Sequence, residues 1–164
     1  MTTASRAAAA LDAALSHLLA ATLVVLVLMD AVFVLLRYAA GIGVIWSSDV
    51  GLLLLMVLAW LGLPLLWLKG SHIAIDLVSG RSSAGAKRTA ALSLHVAFAT
   101  FALALAFVAI QAMEAFSFID MPSLPVSAAI KFAPILAGAG LSVVAAGLRL
   151  AQLVDFEAIA DERP

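Results

Sequence analysis

Polar residues interrupt this chain so rarely that its organisation shows in the gaps between them. A helix needs about 20 residues to cross roughly 30 Å of hydrocarbon. Four apolar stretches are long enough, at about 16–36, 49–68, 90–113 and 130–150. The connectors between them, at about 37–48, 69–89 and 114–129, hold the turn-forming residues: Gly41 and Gly43, then Gly70, Gly80 and Gly85, then Pro122 and Pro125. The pattern predicts an all-α integral membrane bundle of four transmembrane helices. It forms a single membrane domain over 1–164, with no heptad run, soluble module or long internal repeat.

Composition agrees: 65% of the residues are hydrophobic and 12% charged, far from the balance of a soluble domain. In water so much apolar side chain would leave large exposed patches, a penalty that lipid removes. The N-terminal run resembles a secretory signal, yet its alanines precede the apolar stretch, which continues to Leu36, so a retained first span is expected. A net charge of −1 gives no basic footprint for nucleic acid. The chain has no cysteine, which excludes disulfides, thiolate metal sites and cysteine nucleophiles.

Lysine and arginine are retained on the cytoplasmic side of a membrane. Arg6, Lys69, Arg81, Lys87, Arg88, Arg149 and Arg163 fall on one side of the predicted bundle, with Arg37 and Lys131 on the other. Both termini and the middle connector are therefore expected in the cytoplasm. Trp46 is expected at the outer interface and Trp67 at the inner one, where an indole keeps its ring in lipid and its N–H in water.

The remaining polar positions are candidates for structure or chemistry. Ser47 or Ser48 can cap the second span, and Asp49 in its first turn opposes the positive end of the helix dipole. Gly138, Ser142 and Ala146 recur at four-residue intervals in the last span, a stripe suited to close helix packing either inside the bundle or against another subunit. Asp30 lies inside the first span, where an ionised carboxylate is costly, and Arg37 follows seven positions later on the same face. Three roles stay open for Asp30: a structural hydrogen bond or ion pair with Arg37, a contact to a partner subunit, or proton coupling.

His72 and Asp76 stand four apart in the middle connector and share a face if it is helical, but they are too few for a metal site. His17 and His95 fall at similar depth, as a haem-ligating pair would, although interfacial histidines are the simpler reading. The sequence has no H-E-x-x-H, G-x-S-x-G or G-x-x-x-x-G-K-[ST] motif, so neither an enzyme nor a bound cofactor is expected.

The stretch LLRYAAGIGVIWSSDVGLLLLMVLAWLGLPLLWLKGSHIAIDLVSG resembles the small membrane subunit, of DctQ type, of the tripartite ATP-independent periplasmic (TRAP) transporters. The resemblance rests on Arg37-Tyr38, on Trp46-Ser47 followed by Asp49, on Trp60-Leu61-Gly62 and on the run from Gly70 to Asp76. Pro125 and Pro134 resemble the proline-marked approach to the family's last helix. Ser48 stands where the family commonly has the first of two acidic residues, and Asp30 is no part of its pattern.

The resemblance implies a non-catalytic subunit of a sodium-coupled importer of organic acids (carboxylates) in the bacterial inner membrane. Its expected partners are a large membrane subunit that carries the sodium and substrate sites, and a periplasmic substrate-binding protein. Within such a complex the corner from Lys69 to Asp76 is expected to be a cytoplasmic turn that docks a subunit. A different class of function, a small proton-coupled homodimeric exporter using Asp30, shares only the span count and one acidic residue in the first helix.

Overall fold

The computed structural model describes residues 3–69 and 84–161. Four long helices are present: α1 (Thr3–Ala39), α2 (Ser47–Lys69), α3 (Ala84–Ala115) and α4 (Ala133–Asp161). All four are long and apolar enough to cross a membrane. A membrane span of this kind must be helical, because the helix satisfies its own backbone N–H and C=O groups where no water can.

The helices outrun the apolar stretches that mark them. α1 has 37 residues and begins at Thr3, whereas its hydrophobic run starts about thirteen positions later. The reason is that hydropathy sets where lipid begins while helix propensity sets where the helix begins, and the Ala7–Ala10 run is strongly helix-forming. α1 ends where Gly41 adopts φ +70°, a left-handed conformation open to glycine without strain. That turn brings the Ile42 N–H to 3.2 Å from the Leu36 carbonyl oxygen, which also accepts from the Ala40 N–H at 3.1 Å, so two donors close the helix end on one carbonyl.

α4 is the hub, packing against α2, α3 and α1. Its small-residue stripe faces inward: Ala139, Ser142, Ala145 and Ala146 are all buried. A methyl group added at Gly138 would collide with the backbone of α2, lying 2.7 Å from the Trp60 carbonyl carbon and 3.0 Å from Trp60 Cβ. The two backbones therefore touch where glycine leaves room. Without a hydrophobic drive between helices in lipid, such close packing holds the bundle together. The stripe thus packs within the bundle, against α2.

Ser142 hides its hydroxyl in this seam by donating to the Gly138 carbonyl oxygen at 2.7 Å. Pro134 sits in the first turn of α4, where a missing N–H costs no helical hydrogen bond. Pro64 is fully buried inside α2, which continues past it to Lys69.

The core lies toward the end of the bundle that holds the α1 N-terminus. Ala8 and Leu15 of α1, Leu61, Trp67 and Leu68 of α2, and Ala145 of α4 form one cluster, with Phe98 of α3 packed against it. Trp67 stacks on Phe98 with ring centroids 3.8 Å apart, and the edge of His95 meets Trp67 at 5.0 Å. Trp67 is only 5% exposed, so the expectation that it anchors the inner interface is corrected. Its large apolar ring gains more from contact with α3 than from the lipid boundary.

Candidate functional site

The polar chemistry of the described residues gathers at the opposite end of the bundle, around the start of α2. Asp49 stands in the first turn of α2, where its negative charge meets the positive end of the helix dipole. Its carboxylate accepts a hydrogen bond from Ser123 Oγ, which belongs to the connector between α3 and α4. One carboxylate thus ties two connectors together across 74 positions of sequence.

The cap expected from Ser47 or Ser48 takes a different form. Ser47 Oγ donates to the Val44 carbonyl oxygen at 2.7 Å, and Ser48 Oγ lies 3.4 Å from that of Ile45. Both hydroxyls turn back onto the loop, because the helix begins at Ser47 itself and its preceding carbonyls are the nearest acceptors. Trp46 lies half-exposed beside them, its ring edge-on to Phe33 at 5.2 Å.

The α3–α4 connector, whose prolines suggested a plain loop, is held at several points. An isolated antiparallel bridge joins Asp120 to Ser127. The Met121 N–H bonds to the Val126 carbonyl at 2.9 Å and the Ala128 N–H to that of Ile119 at 2.7 Å. Ser127 caps a short 3-10 turn (Ala128–Phe132), accepting from the Ala129 N–H at 3.2 Å. Met121 is buried beneath the connector.

Asp30 and Arg37 line one notch of about 540 Å³ between the outer part of α1 and the loop Gly43 to Ser47. They share the notch without pairing: no ion pair or hydrogen bond to Asp30 is present among the described residues. A rise of 1.5 Å per residue puts Asp30 about 10 Å deeper than Arg37, which is why the guanidinium can stay at the interface instead. Beside Asp30 runs the backbone of α2 at Gly51, where an added Cβ would lie 3.9 Å from Asp30 Oδ1. Both Asp30 and Arg37 are exposed on the surface of the chain.

Two threonines within the spans are satisfied by their own helices, whereas Asp12 Oδ1 of α1 is buried without a hydrogen-bond partner among the described residues. Thr22 Oγ1 donates to the Leu18 carbonyl at 2.8 Å and Thr100 Oγ1 to that of Val96 at 2.8 Å. His17 is exposed, with Nδ1 2.6 Å from the Ala13 carbonyl, whereas His95 is buried against Trp67. The two histidines do not face one another, so the haem-pair reading loses its geometric basis. His72 and Asp76 lie outside the described residues. No group of acidic or histidine side chains suited to a metal ion occurs among the described residues.

Sequence reasoning named Asp49 but missed its partner Ser123, since nothing in Pro122-Ser123-Leu124-Pro125 signals which distant carboxylate it meets. The aromatic seam had a readable trace: His95 and Phe98 are three apart on one helical face.

A four-span helical bundle whose hydroxyls and small residues serve packing, and whose α1–α2 and α3–α4 ends are latched together, belongs to the class of multi-pass membrane components. Residues 23–156 match the family model for the DctQ component of tripartite ATP-independent periplasmic transporters. The chain belongs to that family: it is a TRAP transporter small membrane subunit, an inner-membrane component and not an enzyme. None of the curated proteins matches it. The family works as a tripartite system with a large membrane subunit and a periplasmic binding protein, and membership in it gives no support to the homodimeric exporter.

Proposed function

We propose that this chain is the fixed scaffold of a sodium-coupled importer of organic acids, bracing the large membrane subunit and helping to seat the periplasmic binding protein. The observation that carries the scaffold role is the uneven burial of the four helices. In α1 and α3, 11% of the most apolar stretch is buried, against 22% in α2 and α4, so the outer pair offers broad apolar surface to neighbours in the membrane. α2 holds α1 and α4 holds α3, and α2 and α4 pack together between them.

Seating of the binding protein falls to the outer connectors. The Ser123–Asp49 bond and the bridged turn from Asp120 to Ser127 present a preformed surface at that end. In this reading both termini lie in the cytoplasm, which an even number of spans and the seven positive residues on that side support. The sodium and substrate sites belong to the large subunit in this reading, which rests on family resemblance.

Reconstituted uptake tests the proposal. Vesicles holding the large subunit, this chain and the binding protein should accumulate an organic acid when a sodium gradient is applied, and vesicles lacking this chain should not. Full uptake by the large subunit without this chain, or uptake by this chain alone, overturns it. Reagents that label introduced cysteines should reach positions in both termini only from the cytoplasmic face.

A further inference from the structure

Asp30 is the one acidic residue between Asp12 and Asp49, and it occupies a membrane-spanning segment. It lies on a stripe of α1 that the bundle leaves uncovered. Leu23, Val27, Asp30 and Val34 follow the 3-4 spacing of one helical face, and the three apolar members are 51%, 57% and 54% exposed. Lipid chains alone would be met by the apolar members of this stripe, but not by its carboxylate.

An ionised carboxylate directed at lipid chains is expensive, and such residues face protein, water or an opposite charge. Within the chain the obvious opposite charge is Arg37, which lines the same notch but makes no ion pair with Asp30. It lies about a helical turn and a half to two turns further out, at the mouth of the notch. A cation entering from above would pass Arg37 and be repelled. One approaching in the membrane plane, over Val27 and Val34, meets the carboxylate first.

We infer that the Leu23–Val34 face of α1 is a docking site for a transmembrane helix of the large subunit, which places a lysine or arginine against Asp30 in the notch beside Gly51. The inference rests on the proposed association with that subunit. It adds which face is covered and what chemistry the covering helix carries. Besides Asp30 and Arg37 the notch is lined by Phe33, Val34 and the loop from Gly43 to Ser47, so the carboxylate has room for a second side chain.

The test uses the complex, extracted in mild detergent after co-expression with the large subunit. Asp30→Lys should lower the large subunit retained by about a hundredfold and Asp30→Asn by about tenfold, because each leaves a buried cation unpaired or opposed. Asp30→Glu should stay within about twofold, since the charge is kept. In native membranes, Val27→Cys and Val34→Cys carrying a photoactivatable crosslinker should form adducts with the large subunit; the chain has no other cysteine.

Equal retention by all three Asp30 variants overturns the inference while the scaffold role stands, as do adducts to lipid alone from both positions. Failure of the unaltered chain to retain the large subunit overturns the scaffold role instead. The melting temperature of the isolated chain supplies a further check. If Asp30→Asn and Arg37→Gln each lower it equally and together lower it no further, the carboxylate is satisfied within its own chain and the inference falls.

Discussion

Gly138 and Gly140 lie two positions apart on α4 and should respond to alanine in opposite directions. At Gly138 the new methyl lands 2.7 Å from the Trp60 carbonyl carbon, whereas optimal carbon contacts are about 3.5–4.0 Å, so the helices must separate by about 1 Å. The obstacle is backbone, which cannot rotate away as a side chain does. Overpacking of this kind costs about 1–3 kcal/mol. Alanine's better helix propensity returns up to about 1 kcal/mol, and because the obstacle is rigid backbone the cost falls in the upper half of that range, which leaves a net loss of about 1–2 kcal/mol.

At Gly140 no atom lies within 4 Å of the added Cβ and the position is exposed, so only the propensity gain of about 0.4–1 kcal/mol acts. Reversible unfolding of the purified chain in mixed micelles, with increasing SDS and helicity as the readout, measures both. Gly138→Ala should shift the midpoint down and Gly140→Ala should leave it unchanged or raise it. If Gly138→Ala is as stable as the parent, or if both variants move together, the claim that α2 and α4 touch backbone to backbone at Trp60 is wrong.

Three further substitutions probe the rest of the bundle. Trp67→Ala should cost about 3–5 kcal/mol in the same unfolding assay, and Trp67→Phe much less, because stacking on Phe98 survives in part. Asp49→Asn and Ser123→Ala should each cost about 1 kcal/mol, the pair together little more than one alone, with faster hydrogen exchange in residues 116–132 as the local readout. Gly41→Ala should cost about 1–2 kcal/mol through its φ of +70°, although the space around it is empty; equal stability would mean the turn re-forms differently.

Hydropathy alone located the four spans, because exclusion from water acts on every residue of a span in the same way and leaves a signal about twenty residues long. It could not place the ends of α1 or α4, which continue into alanine-rich and mixed segments where propensity governs. The stripe Gly138–Ser142–Ala146 was legible as a packing face, but its partner was not: Trp60 contributes backbone, and backbone leaves no trace in sequence. Trp67 misled for a related reason. A tryptophan near a helix end suits both a lipid boundary and a buried seam, and only the position of α3 decides between them. At the outer end, Asp49 could be read from helix-end electrostatics, whereas Ser123 reaches it through a tertiary approach that no local rule specifies.

The central place of α4 also orders the making of the protein. A ribosome delivers α1 and α2, which already pack against one another, and then α3, before the helix that joins α3 to them exists. Assembly then goes in two stages, an early α1–α2 pair and a later closure when the last helix enters the membrane, and a message broken before codon 133 yields a chain without the helix that holds α3.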